Sequence, residues 1–170
     1  MPITEVDHQK IKNRICQIIQ SDTNIYDQNN PEGKLRHVQV GMPPGKFPQN
    51  LQDLNHPALV ITNNIRWIET RKKRGESNTG ALSSLDHIVR YDLYVIHQDS
   101  DSVAVEKTLD LLWKGLYERL EQFANLRKPS DDTDALVQES FPVRTELFTE
   151  FRGSDIDGFR VTLECLIVSS

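Results

Sequence analysis

The order of the predicted elements indicates an α+β domain in which an antiparallel sheet of four or five strands carries two α-helices on one face. Three patterns predict this class. Residues 86–97 alternate between apolar and polar side chains, which is typical of a half-buried strand. Residues 101–124 have apolar side chains every three or four positions, which is typical of an amphipathic helix. Two further alternating segments, separated by a glycine-containing turn at 153–158, indicate a closing hairpin.

The first predicted element is a helix that ends near Gln20. Thr4 and Asp7 form a weak capping box at its start. Its apolar stripe consists of Ile11, Ile15, Ile18 and Ile19. Residues 21–56 are rich in Asn, Asp, Pro and Gly, so we expect a long ordered loop with one short edge strand at 35–40. A loop of this length inside a compact domain favours contacts with another chain.

The two central strands are predicted to flank a basic segment. The first main strand covers 57–63 and is extended by the apolar positions up to Ile68. Residues 70–84 break every periodicity, so we expect a basic, flexible and solvent-exposed arm between the first two main strands. The second strand then leads through an acidic turn at 97–102 into the long helix.

A polar loop at 125–139 connects that helix to the closing hairpin. The strands of the hairpin, at 143–152 and 159–168, alternate in polarity. We expect residues 1–170 to form a single domain. A chain of this size buries about 70% of its unfolded surface, so it needs neither metals nor disulfides to fold.

Composition argues against several classes of protein. The 170 residues include 20 Lys and Arg against 25 Asp and Glu, which gives a net charge of −5. This charge disfavours a nucleic-acid binder that depends on phosphate neutralisation. Cys16 and Cys165 form no CxxC motif, which favours a reduced, intracellular setting. The apolar runs are far shorter than the roughly 20 residues of a membrane span, and the start lacks the features of a secretory signal.

No pattern predicts a catalytic, cofactor-binding or metal site. The five histidines are dispersed, and none has a metal-ligand spacing. The pairs Asp99/Asp101 and Asp155/Asp157 carry carboxylates that suit a hard cation, but they lack the glycine and the distal glutamate of an EF-hand loop.

One alternative from a different class is a small metal-dependent nuclease. Its candidate residues are Asp86, Asp92 and Glu106, with Lys107 beside them. Their spacing matches no pattern, and Arg90 beside Asp92 favours a solvated strand face instead.

The sharpest charge feature is a basic segment that is either a solvated loop tip or an arm that contacts an acidic neighbour or a phosphate backbone. It consists of Arg71, Lys72, Lys73 and Arg74. The absence of interleaved aromatic residues argues against base recognition. A hairpin of the central strands places this segment opposite an acidic end, to which the closing hairpin also descends. The predicted acidic residues are Asp99, Asp101, Asp155 and Asp157. Such a polar subunit suits ordered stacking between two different partners.

The order of elements over nearly the whole chain resembles the tail terminator and tail-completion proteins of long-tailed, siphovirus-like phages and viruses. The matching elements are a helix at 11–19, a long loop, a strand at 57–61, an arm, a helix at 103–123 and a last strand at 159–168. This resemblance is one of pattern and not of signature motifs.

The resemblance implies a structural virion protein that has no enzymatic activity and no cofactor. It implies a hexameric ring at the head-proximal end of the tail tube that halts tube growth and joins the tail to the neck. The implied partners are further copies of this chain, the tail tube protein and a neck protein, while DNA passes through the lumen without sequence-specific binding and no membrane is contacted. The implied location is the virion, with the host cytoplasm as the site of assembly.

Two further readings stay open at this point. The loop at 21–56 is longer than is usual in the family, which leaves the neighbouring roles of neck, head-tail joining or other tail-completion protein. A cytoplasmic adaptor with no viral role is also compatible with a single chain that carries no catalytic motif.

Overall fold

The computed structural model describes residues 6–29, 33–46, 49–73, 85–145 and 156–168. Within these ranges, helices and strands follow one another in the order of an α+β protein, so the predicted class is confirmed. The elements are α1 (His8–Gln20), β1 (His37–Val40), β2 (Ala58–Lys73), β3 (Leu85–Gln98), α2 (Ser102–Gln122), β4 (Glu139–Thr145) and β5 (Ile156–Val168). A short 3₁₀ helix, Gln49–Leu51, precedes β2.

The five strands form one mixed sheet with the order β1-β2-β3-β5-β4. β1 runs parallel to β2, with Val38 opposite Leu59, whereas the other neighbouring strands are antiparallel. The prediction of an antiparallel sheet is therefore wrong at the β1 edge. The connection at 41–57 explains the difference, because it is long enough to return the chain to the end where β1 began. Parallel neighbours need such a crossover of about a dozen residues or more.

The predicted long loop at 21–56 contains β1, which is the expected short edge strand. Before β1, Ile25 and Leu35 join the buried cluster on the helix side of the sheet. After β1, Leu51 packs with Ala58 on the other face. The loop therefore passes around the β1 edge and covers part of both faces. Its contact with another chain stays a prediction.

The main hydrophobic core contains residues of both helices and of the sheet. The helices contribute Ile11, Ile15, Ile18 and Ile19 from α1, and Val105, Leu109, Leu112, Leu116 and Leu120 from α2. The central strand contributes Val89, Tyr91, Leu93 and Val95. These are the apolar positions that the two periodicities pick out in the sequence. The intervening residues of β3, including Asp92, lie on the opposite face because successive side chains of a strand alternate.

The hairpin of β2 and β3 is longer than the sequence predicts. β2 continues beyond its expected end and pairs Lys73 with Leu85. Residues 70–73, at the start of the predicted arm at 70–84, therefore belong to a strand. The side chains of 70–73 show no alternation, so the sequence does not predict a strand there. Backbone hydrogen bonds to β3 extend the strand without it. The rest of the predicted arm, 74–84, lies outside the described residues.

A buried arginine joins α1 to the loop that follows α2. Arg14 Nη1 donates hydrogen bonds to the main-chain oxygens of Leu126 (2.9 Å) and Asp134 (2.7 Å). Its Nη2 donates to Asp134 Oδ2 at 3.0 Å, and the side chain is only 4% exposed. Leu126 has a φ of 51°, which is a left-handed conformation that leucine rarely adopts. The guanidinium therefore binds the strained residue Leu126 and joins it to Asp134, which lies later in the same loop.

We expect Arg14→Met to lower the free energy of unfolding by about 3 kcal/mol, because it leaves the main-chain oxygens of Leu126 and Asp134 without their donor. The Asp134 carboxylate keeps its ion pair with Lys128 at 3.2 Å. Urea unfolding measures this change. Lys10→Met, on the exposed side of the same helix, is the matched control and should stay within about 0.5 kcal/mol of the parent. Equal effects of the two substitutions would show that the Arg14 contacts contribute little to stability.

Gly115, near the middle of α2, lies where a side chain would collide with Ile25. A Cβ atom added there would be 2.5 Å from Ile25 Cγ2. We expect Gly115→Ala to lower the free energy of unfolding by about 1–2 kcal/mol, although alanine normally stabilises a helix interior by about 1 kcal/mol relative to glycine. In an Ile25→Ala background the collision is removed, and the same substitution should be stabilising. Urea unfolding of the four proteins tests this change of sign, and the same sign in both backgrounds would contradict the packing.

Candidate functional site

The turn between β3 and α2 carries two of the predicted acidic residues. Asp101 is the N-cap of α2, and its Oδ1 accepts hydrogen bonds from the backbone N–H groups of Val103 (3.0 Å) and Ala104 (3.3 Å). Asp99 Oδ1 accepts from the backbone N–H of Asp101 at 3.1 Å, and this hydrogen bond is the main cause of the lowered pKa of Asp99. Both side chains therefore organise the start of the helix while they stay exposed to solvent.

β5 places a third predicted acidic residue at the same end of the sheet. Asp157 pairs with His97 and its side chain is exposed. Since His97 lies two residues before Asp99, the three carboxylates share one end of the domain. Asp155 lies outside the described residues.

The predicted basic residues lie at the opposite end of the same hairpin. Arg71, Lys72 and Lys73 are the last residues of β2, and Lys73 pairs with Leu85, the first residue of β3. At about 3.3 Å per residue, β3 separates the two ends by about 40 Å. Arg74 lies outside the described residues. The structure therefore places the described members of the two charged groups at opposite ends, and their binding roles stay predictions.

A polar cleft at the acidic end was not predicted from the sequence. Its volume is about 360 Å³, and it is lined by Gly33, Arg36, His56, Pro57, His97, Gln98, Asp99 and Thr108. His56 and His97 are far apart in the sequence and meet because β2 and β3 pair in the register of Ala58 with Ile96. Neither histidine belongs to a sequence motif, so the cleft could be predicted only from the register in which β2 and β3 pair.

The two histidines of the cleft favour the neutral form. Burial lowers the pKa of His56, whose Nε2 lies 3.0 Å from the main-chain oxygen of Leu51. Burial also lowers the pKa of His97, and the nearby His56 and Arg36 lower it further, against the opposing charge of Asp99. In the described part of the chain, the Nδ1 atoms of both rings are buried without a hydrogen-bond partner.

The cleft does not assemble into a metal centre. Within the described residues, no three His, Cys, Asp or Glu side chains converge into a group that could hold a metal ion. The chemistry of the cleft is therefore that of two imidazoles with lowered pKa values beside one guanidinium and one exposed carboxylate.

The candidate nuclease residues do not come together. Asp92 is buried on the sheet face that points away from the main core, where Asn64 Nδ2 and Thr162 Oγ1 each donate to its Oδ1 at 2.9 Å. Glu106 is exposed on α2, on the other side of the sheet. Asp86 is placed by its backbone pairing with Val168. Asp92 therefore has the surroundings of a structural carboxylate, with two neutral donors.

Two further surfaces carry exposed apolar side chains. Among the described residues, all the large apolar side chains that are exposed belong to α2 or β4. On α2 they are Val103 (72% exposed), Leu111 (57%) and Tyr117 (38%), and on β4 they are Phe141 (48%) and Val143 (55%). β4 thus exposes two apolar side chains, Phe141 and Val143, on one face of the sheet.

Comparison with known protein families and with curated proteins gives no match for this chain. No helix within the described ranges combines the length and the hydropathy that a membrane span requires.

We expect His97→Gln to reduce the loss of stability on acidification. Because the folded-state pKa of His97 lies below its ordinary value of 6.5, the unfolded chain binds this proton more readily as the pH falls below about 6.5. The folded state of the parent is then disfavoured, and glutamine removes this contribution. Urea unfolding at pH 7.5 and pH 5.5 measures it, with His37→Gln on β1 as the control outside the cleft. An unchanged pH dependence in His97→Gln would contradict the lowered pKa.

Proposed function

We propose that this chain is a structural virion protein of the tail-terminator type, which forms a ring on the head-proximal end of a tail tube and joins the tail to the neck. The observation that carries this proposal is the separation of charge along the β2–β3 hairpin. Basic residues 71–73 end β2, whereas Asp99, Asp101 and Asp157 lie about 40 Å away. A ring between a tube and a neck contacts a different partner at each end, and this subunit has two chemically different ends.

The packing of the domain supports the same proposal. Both helices share one buried cluster with residues of the sheet, which favours an arrangement with the two helices on one face. The opposite face carries the buried Asp92 and the exposed Phe141 and Val143. A subunit of this kind has one complete core and keeps further surfaces for neighbouring chains.

Charge supports a lumen that does not bind DNA tightly. The net charge of −5 gives little overall attraction to phosphates. In the proposed ring, DNA passes through without sequence-specific contacts, and the basic end of β2 contacts a protein partner. The ring acts as an assembly protein and needs neither a cofactor nor a catalytic group.

Reconstitution with tail tube protein tests the proposal. We expect light scattering and native mass spectrometry to show a homo-oligomer, and electron microscopy to show it bound to one end of each tube, whose elongation then stops. Lys72→Glu with Lys73→Glu should weaken tube-end binding at least about tenfold if that end contacts the tube, because it reverses the charge presented to the partner. Lys10→Glu, on the exposed side of α1, is the matched control.

A persistent monomer that never associates with tube ends would contradict the proposal. Binding to a neck or head-completion protein, without any effect on tube growth, would instead favour the neighbouring role of a neck protein. Magnesium-dependent cleavage of DNA that Asp92→Ala abolishes would favour the nuclease.

A further inference from the structure

We propose that the outer face of α2 binds the β4 face of a second copy of this chain, so that neighbouring copies contact each other front to back. The inference rests on the proposed homo-oligomeric ring and names the two surfaces that build it.

The outer face of α2 is a stripe directly opposite its core-facing side. At 100° per residue, the buried positions Leu109, Leu112 and Leu116 point one way, and Lys107 points the opposite way. The stripe consists of Val103, Lys107, Leu111 and Lys114, and we call it the α2 stripe. A shallow, open depression of about 470 Å³ lies along it between the side chains of Val103, Glu106, Lys107, Asp110, Leu111 and Lys114. An apolar surface interrupted by two lysines is therefore exposed on the helix side of the domain.

The matching surface lies on β4, an edge strand of the sheet. Its side chains alternate: Ser140 is buried, whereas Phe141 and Val143 are about half exposed on the opposite face. Glu139, Phe141 and Val143 share that face, and we call them the β4 strip. In register, Phe141 lies opposite Glu164 of β5, which forms an ion pair with Arg90 at 3.1 Å.

The two surfaces lie on opposite sides of the molecule. The α2 stripe points outward from the helix layer, whereas the β4 strip lies on the sheet face away from the main core. When one copy places its α2 stripe on the β4 strip of the next, the first copy keeps its β4 strip unused and the second keeps its α2 stripe unused. Contacts of this heterologous type add further copies and form a closed ring when the rotation between neighbours allows it, whereas a two-fold contact stops at a dimer.

The α2 stripe and the β4 strip are complementary in spacing and in charge. Leu111 lies about 6 Å from Lys107 along the helix, and Phe141 lies about 7 Å from Glu139 along the strand, so a contact that pairs Lys107 with Glu139 also places Leu111 on Phe141. Lys107 lies between the apolar residues of the stripe, and Glu139 adjoins those of the strip. Glu106 and Asp110 flank the lysines, so Glu139 is attracted where it meets Lys107 and repelled where it meets either carboxylate.

Cysteine cross-linking tests the contact. In a Cys16→Ser background, with Cys165 left because it is fully buried, Leu111→Cys and Phe141→Cys are made in separate chains. When the two are mixed under mild oxidation, we expect a covalent dimer that contains one of each, because a disulfide requires Cα atoms within about 7 Å. Neither variant alone should cross-link. Gln17→Cys on the exposed side of α1, mixed with Phe141→Cys, is the matched control and should give no product.

Charge exchange gives a second readout that does not depend on oxidation. Lys107→Glu should raise the apparent Kd of the oligomer at least about tenfold, and adding Glu139→Lys should restore most of the affinity. Leu111→Asp and Phe141→Asp should each abolish the oligomer. Since all four side chains are exposed, circular dichroism should show that each variant stays folded.

The outcomes separate this inference from the proposed function. A ring that forms and binds tubes, but whose Leu111→Cys and Phe141→Cys chains do not cross-link, overturns the inference and leaves the proposed function. Cross-linked rings that never bind tubes or neck proteins overturn the proposed function and leave the contact. Cross-linking of either variant with itself indicates a two-fold dimer and overturns the front-to-back contact. A strip that binds a different protein and no second copy overturns it as well, and so does a chain that stays monomeric.

Discussion

β3 exchanges backbone hydrogen bonds with β2 on one side and with β5 on the other along nearly its whole length. This double pairing fixes the register of the sheet, because a slip by one residue would move every side chain of β3 to the other face. At the acidic end the fit is close: a Cβ atom on Gly158 would lie 2.5 Å from the main-chain oxygen of Val95. The register also sets the positions of the charged ends, of the histidine cleft and of the β4 strip, since β4 pairs with β5.

The two faces of this sheet follow from different physical demands. The face towards the helices is apolar, and its burial is the main source of stability. The other face is covered near the β1 edge, where Leu51 packs with Val60, and becomes polar towards β5. There Asp92 is buried but accepts two hydrogen bonds, so its burial is compensated. Because the polar groups of this face have hydrogen-bond partners, either solvent or another chain is able to cover it. The exposed Phe141 on β4 adds an apolar contact point.

Periodicity was sufficient to predict the elements that form the core. The steps of three or four residues place Leu109 and Leu116 on the buried side of α2, and the alternation places Tyr91 and Leu93 on the buried side of β3. Periodicity could not predict the direction of β1, because that direction depends on how far the loop at 41–57 reaches. It also could not predict that β2 extends through its basic end. Pairing with a neighbouring strand determines both.

Contacts between residues that are distant in the sequence could not be predicted either. Arg14 reads as one charged residue in an amphipathic helix, yet its guanidinium binds a turn more than 100 positions away. His56 and His97 meet only through strand register. The charged ends were predictable because they lie at the ends of one hairpin, and a hairpin is the simplest connection between two successive strands. The exposure of the β4 strip was not predictable. Alternation shows that a strand has two faces, but it does not show which face the helices cover.

The charged ends and the two apolar surfaces lie along different directions of the molecule. The ends are separated along the strands, whereas the α2 stripe and the β4 strip are separated across the layers of the domain. In the proposed ring, contacts between copies therefore leave the ends of the hairpin accessible to the tube and the neck. Each subunit is then able to bind its neighbours through one pair of surfaces and its axial partners through another. Because the lateral contact engages exposed side chains only, closing the ring requires no rearrangement of the main core, and the axial binding sites keep the positions that the register of β3 gives them.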